Sequence, residues 1–364
     1  MIKRLLFHTI LIFIIIIGSI FLAEISGQLV YKLNTGRWRF RINECSDKGL
    51  FILHPYLVGA PKPSVTVTRI NKKGKLVKIS HNSLGFRGQE VNLSKKENIR
   101  RVVALGGSST YCTGVSNDET WPYLLGKKLG PKWEVLNLGV PGYNSVENVI
   151  QTALQIKELS PDIAIYYEGW NDMQNIYIKN LKPDYSNFHG WAQYSNLRLN
   201  ALKIGDQSAA IYYLHKVLLK IFTQQEHIRI TGTKNAFSGN PDYRSLYLYG
   251  RNLHSIITLC KQFNITPIMV PQVCNYDVLI SDKPYDWIPF LKEKDFKRVM
   301  RYYNDKMKQV ASQENVGFVN GVLEVNFSVS DFVDKVHFSY SGNDKFATIL
   351  ADFIKSRYIG PKTN

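Results

Sequence analysis

Apolar and polar positions divide this chain into three unlike parts. From Leu5 to Ala23 it reads LLFHTILIFIIIIGSIFLA, a run without formal charge between Arg4 and Glu24. At about 1.5 Å rise per residue such a helix extends about 28 Å, close to the roughly 30 Å hydrocarbon core of a bilayer. A transmembrane helix is therefore predicted within 1–24. The run is longer than the apolar core of a signal peptide, and no small-residue cleavage pattern follows it, so an uncleaved single-pass anchor is expected. His8, near the charged end, is expected at the interface. Lys3 and Arg4 favour a cytoplasmic amino terminus, whereas Lys32, Arg37, Arg39 and Arg41 on the other flank oppose it. A long following domain can translocate regardless of its own charge, which places the bulk of the chain outside the cytoplasm.

The second part, 25–98, reads as a connector. Tyr31, Trp38 and Phe40 suit the membrane interface. Residues Ser64 to Ile70 and Lys75 to Ile79 alternate polar and apolar around a turn at Asn71–Gly74, the pattern of a β-hairpin. Gly85 and Gly88, in the segment Asn82 to Gly88, mark tight turns.

From residue 99 to 364 strands alternate with helices. Short apolar runs at Arg101–Leu105, Trp133–Leu138, Asp162–Tyr167, Thr266–Val270 and Val316–Asn320 read as strands. Between and after them, Glu119–Leu129, Ser145–Leu159, Leu246–Phe263, Glu293–Ser312 and Gly342–Ile359 read as helices. In the second of these, Ser145 is placed as the cap, and Val149, Ile150, Ala153, Leu154 and Ile156 as the buried face. Repeated strand-helix units predict an α/β fold, a parallel sheet covered on both faces with its site at the carboxyl ends of the strands. The stretch from about 173 to 243, rich in Tyr, Asn and Lys, reads as an insertion capping that site.

Composition narrows the function less than the pattern does. A net charge of +17 raises nucleic acid, anionic lipid or an acidic glycan as partners, but Lys and Arg are spread along the whole chain. Without a dense basic helix or an aromatic-basic platform, nucleic-acid binding is not expected. Cys45, Cys112, Cys260 and Cys274 lack paired metal-ligand spacing, so no metal site is expected. Cys112, four positions after Ser108, is read as packing. Cys260 and Cys274 are read as ordinary thiols.

Candidate chemistry falls at the strand ends. Gly106-Gly107-Ser108-Ser109-Thr110 follows the first strand of the domain, and either hydroxyl at 108 or 109 is a candidate nucleophile by pattern alone. Gly139-Val140-Pro141-Gly142 follows the second strand and can present a backbone N–H. Gly169-Trp170-Asn171-Asp172 follows the third, where an Asn amide can face a developing oxyanion. Asp334 and His337, three positions apart before the last helix, supply an orienting carboxylate and a general base. These parts together suit acyl transfer through a covalent intermediate.

On these residues the chain resembles the SGNH hydrolase superfamily, the GDSL-like esterases and lipases, over roughly 100–355. The resemblance implies a three-layer, flavodoxin-like fold. It assigns Ser108 as nucleophile, Asp334 and His337 as acid and base, and Ser108, Gly142 and Asn171 as the oxyanion hole. Gly107 stands where the family's eponymous Asp usually lies. The implied activity is a serine esterase acting on acyl, foremost acetyl, esters of a carbohydrate or lipid, with no metal or organic cofactor. Two other readings stay open: an O-acyltransferase modifying a surface polysaccharide beside a multi-spanning membrane partner, and a non-catalytic glycan-binding scaffold.

Overall fold

The structure, a computed structural model, describes residues 2–35, 38, 49–52, 54–71, 73–176, 181–185, 208–214, 217–218, 243–285 and 288–358. Phe40, Cys45 and most of the expected cap over 173–243 lie outside the described residues. Helix α1, Ile2–Thr35, is apolar on every side, long enough to cross a membrane, and unburied along its most apolar stretch. It does not stop at Glu24. The Glu24 carboxylate accepts from Gln28 one turn on, and from the Ser208 hydroxyl and the N–H groups of Ala209 and Ala210. With that charge satisfied, the helix continues to Thr35, and residues 209–214 pack as a helical segment beside it. Gly27 permits the close approach, because a β-carbon there would stand 2.9 Å from the Ala210 nitrogen.

Two short strands, β1 (Phe51–Ile52) and β2 (Ala60–Pro61), pair ahead of the expected hairpin. The hairpin itself is β3 (Val65–Ile70) with β4 (Leu76–His81), in a register running from Val65 opposite His81 to Ile70 opposite Leu76. Gly74, at φ +78°, turns it.

The main domain is built on β5 (Arg100–Gly106), β6 (Trp133–Asn137), β7 (Ile163–Glu168), β8 (Thr266–Pro271) and β11 (Gly317–Phe318). The sheet is parallel throughout, in the order β11-β8-β7-β5-β6. Read from the β6 edge, its strands run 2-1-3-4-5, the flavodoxin-like winding whose direction reverses beside β5. A small antiparallel pair, β9 (Pro284–Tyr285) and β10 (Ile288–Lys292), lies outside it.

Side-chain alternation along each strand feeds two cores. Val102 and Ala104 of β5, Ile163, Ile165 and Tyr167 of β7, and Ile268 and Val270 of β8 face one side. There they meet Trp121, Leu125 and Leu129 of α3 (Trp121–Leu129) and Phe346, Leu350 and Ile354 of the terminal helix α8 (Tyr340–Tyr358). Val103 and Leu105, with Ala164, Tyr166 and Met269, face the other side. They meet Leu253 and Ile257 of α5 (Tyr243–Gln262) and Val299 and Tyr303 of α6 (Phe296–Gln313). The period of two is what lets one buried strand serve both layers. Two single helical turns are also present among the described residues, α2 (Ser108–Tyr111) and α7 (Gly321–Glu324).

Helix α4 departs from expectation. It spans Ser145–Leu154 and gives way to a 3-10 turn at Ile156–Leu159. Its cap is Asn144, whose side chain accepts from the Val146 N–H while Glu147 accepts from the Asn144 N–H. Ser145 is the first helical residue. Of the expected apolar face Ile156 is fully buried, Val149 and Ile150 are partly buried against the cores, and Leu154 is exposed; the buried residues of the helix itself, Ser145, Glu147, Asn148, Gln151 and Thr152, are all polar. Partners from remote segments make that burial tolerable: Gln151 donates to the Leu138 carbonyl, and the Thr152 hydroxyl bonds that of Tyr166.

Candidate active site

The three strand ends nearest the winding reversal meet at one turn. Gly106 closes β5 at φ +150°, and a β-carbon there would run into Thr110 Oγ1 and the Tyr167 carbonyl. Gly107 follows at φ −83°, which any residue can adopt, so its small size matters and its backbone freedom does not. A β-carbon on Gly107 would collide with Asn171 Nδ2 and stand 3.0 Å from the Tyr143 carbonyl oxygen. Immediately after it, Ser108 opens α2 and is only partly buried, while Ser109 is 6% exposed and turned inward towards Gln272.

His337 reaches Ser108 from the loop before α8. Its Nε2 lies 2.8 Å from Ser108 Oγ, and its Nδ1 lies 2.9 Å from both oxygens of Asp334. The loop is closed on itself by a Val333 N–H to His337 carbonyl bond and by Phe332 stacked on Phe338 at 5.0 Å. Asp334 also accepts from the N–H groups of Val336 and His337. Burial alone would raise the Asp334 carboxyl, but the imidazole beside it and those N–H donors hold it well below the usual carboxylate range. A carboxylate so placed keeps Nδ1 protonated, leaving Nε2 as the face that accepts a proton from Ser108.

On the opposite side of the turn, Asn171 Nδ2 donates to the Tyr143 carbonyl at 2.6 Å. That bond uses one hydrogen of an amide that carries two. It also ties the loop after β7 to the loop after β6, which holds Gly142 at φ +88°. The next residue, Asp172, is 1% exposed, and burial pushes its carboxyl up to about 7 against the Ser145 donors that favour the charged form.

The structure thus brings Ser108, Asp334 and His337 into one hydrogen-bonded series, with Gly142 and Asn171 on loops that flank the same turn. Cys112 is buried, and its thiol is pushed up to about 12 by burial, with Arg87 opposing, so it holds no thiolate at neutral pH. Cys260 and Cys274 are buried free thiols. Among the described residues no cluster of three or more His, Cys, Asp or Glu could hold a metal ion. Cavities of 560 Å³, beyond the β6 edge beside Tyr123 and Trp133, and 220 Å³, beside Tyr56 and Leu154, contain none of the five residues. The Ser108–His337 contact lies outside the lining of both cavities.

Sequence pattern gives no role to Arg87, which proves central. Its buried guanidinium donates to the carbonyls of Tyr111, Cys112 and Val115 and to Asn117 Oδ1, plugging the carboxyl end of α2. Its backbone N–H bonds the Asn137 carbonyl at the end of β6. Only the Asn82–Gly88 glycines signal that segment, and they report a turn rather than its partner.

The GDSL-like Lipase/Acylhydrolase family matches residues 104–345. Three solved structures are similar to the chain at low identity. A GDSL-like lipase from Bacteroides thetaiotaomicron is 14% identical, with 73% of this chain and 90% of that one covered and a TM-score of 0.40. A catalytic mutant of an acetylxylan esterase from Geobacillus stearothermophilus is 17% identical, with 72% and 94% covered and a TM-score of 0.40. A lipase/acylhydrolase from Enterococcus faecalis is 12% identical, with 71% and 97% covered and a TM-score of 0.43. No curated protein matched the chain. Because the family match extends over most of the chain, the chain belongs to the GDSL-like lipase/acylhydrolase family, hydrolases that act on ester bonds.

Proposed function

We propose that the protein is a membrane-anchored serine esterase that removes short acyl groups, foremost acetyl, from a carbohydrate or lipid. The observation that carries this reading is the continuous series from Asp334 through His337 to Ser108. His337 Nε2 takes the Ser108 proton as Oγ attacks the ester carbonyl. The resulting oxyanion is received by the N–H groups of Ser108 and Gly142 and by the Asn171 amide. His337 then gives its proton to the departing alcohol, leaving an acyl-serine. Water, deprotonated by the same imidazole, attacks that ester, releases the acid and restores Ser108. Asp334 steadies the imidazolium formed in both halves.

Helix α1 supports anchoring by its length and its unburied apolar surface. The decisive assay uses the full chain in detergent, with acetate release from acetylated oligosaccharides and a chain-length series of nitrophenyl esters as readouts. Wild type is expected to prefer the acetyl member and to label with a fluorophosphonate, while Ser108→Ala does neither. Equal hydrolysis by the two proteins removes Ser108 from the mechanism. A wild type that loses acetate release when a glycan acceptor is added, and acetylates that acceptor, is a transferase instead.

A further inference from the structure

We propose that Asp172 is a positioning residue of the oxyanion hole, its buried carboxylate bracing the loop that carries Gly142 against the loop that carries Asn171. This rests on the esterase reading above and adds to it a residue that touches neither substrate nor nucleophile.

Asp172 begins the 3-10 turn Asp172–Asn175 after β7, directly beside Asn171. Its Oδ1 receives the Ser145 hydroxyl at 2.5 Å, and its Oδ2 receives the Ser145 N–H at 3.1 Å. Ser145 lies three residues after Gly142. One residue back along one loop and two along the other, Asn171 Nδ2 donates to the Tyr143 carbonyl at 2.6 Å. The two loops are thus clamped twice, each clamp joining a side chain from the end of β7 to the turn after β6. Neither can pivot without breaking one of the bonds.

The clamp is itself held from behind. Asn252 of α5 donates to Ser145 Oγ at 2.9 Å and to the Tyr185 hydroxyl at 3.2 Å. The Tyr303 hydroxyl of α6 donates to the Asp172 carbonyl at 3.1 Å, so both covering helices reach the same joint. Among the described residues Asp172 has no cationic partner, and Glu147 and Glu168 are buried close enough to disfavour its charge or that of its neighbours. A buried carboxylate without a counter-ion is expensive, and an apolar pair of similar volume is usually more stable. What the carboxylate supplies that an apolar pair does not is direction, two acceptors aimed at two donors of one residue.

The test compares wild type, Asp172→Asn and Ser145→Ala as full chains in detergent. Thermal unfolding confirms that each is folded, and acetyl-ester kinetics are read as separate kcat and KM values. Displacing a donor by about 1 Å lowers kcat roughly ten- to hundredfold and leaves KM within about twofold, because the oxyanion forms only in the transition state. Should Asp172→Asn not fold, Ser145→Ala decides alone, since it removes one donor and no charge. Unchanged kcat in the folded variants, or a loss in kcat no larger than the loss in folded fraction, overturns the brace. If wild type itself hydrolyses nothing and resists a fluorophosphonate, the esterase reading has failed and the brace with it. If wild type is active and labelled while both variants equal it, only the brace is refuted.

Discussion

Gly107 occupies the position where the family's Asp is expected, and the structure gives that exchange a measurable consequence. Gly107→Ala adds a single carbon whose backbone conformation, at φ −83°, is unstrained, so any effect must come from the space it enters. That space is held by Asn171 Nδ2, with the Tyr143 carbonyl 3.0 Å away. The carbonyl belongs to a loop held independently through Ser145 to Asp172, whereas the Asn171 side chain can give up its bond and turn, so the amide yields by roughly 1 Å to restore ordinary contact. A donor moved that far from a developing oxyanion forfeits on the order of a hundredfold in turnover, roughly 2.7 kcal/mol of barrier. Binding of the ground-state ester is little affected, so kcat falls and KM does not. The assay is steady-state hydrolysis of a nitrophenyl acetate by wild type, Gly107→Ala, Asn171→Ala and the double variant. Since the methyl acts only by displacing Asn171, it should cost little further once Asn171 is gone, and the two losses should be strongly non-additive. Full turnover in Gly107→Ala, or additive losses in the double variant, refutes the reasoning.

Three further outcomes follow from the same geometry. Asn171→Ala alone should lower kcat by about 10² to 10³, read in the same assay, as expected when one oxyanion donor is lost. Arg87→Ala leaves the carbonyls of Tyr111, Cys112 and Val115 buried without their donor, and at about 1–3 kcal/mol for each stranded group it should lower stability by several kcal/mol in denaturant melts. Asp172 gives a signed pH dependence: its carboxyl rises from 3.8 to about 7 on folding, so the folded state binds the extra proton between those values. Stability of wild type relative to Asp172→Asn should therefore fall as pH rises from about 4 to about 7 and level off above, and a difference independent of pH contradicts the assignment.

Much of the fold is legible in one dimension because burial on both faces leaves a strong mark. The strands β5, β7 and β8 are near-continuous apolar runs, and α1 contains the charge-free run Leu5–Ala23 of bilayer length; neither depends on its neighbours to be recognised. Helix α4 shows where this fails. Its apolar residues suggest one buried face, and Ile156, Val149 and Ile150 do pack inward, yet the protein buries polar residues beside them more deeply, because Asp172, Tyr166 and the Leu138 carbonyl supply hydrogen bonds from segments that no local period can reveal. Arg87 escaped notice for the same reason, its partners lying 24 to 30 positions away in sequence.

At the site, the short spacing of Asp334 and His337 lets the sequence alone declare a carboxylate–imidazole pair, since three positions within one loop keep two side chains in reach. The glycines before Ser108 and after β6 likewise announce tight turns. Local pattern leaves Ser108 and Ser109 open, and the resemblance names Ser108; the contact itself, His337 Nε2 against Ser108 Oγ, comes from a loop 229 positions away. The reason is physical: periodicity and turn chemistry are encoded by neighbours in the chain, whereas a proton-transfer distance is set by how the sheet and its two helical layers pack.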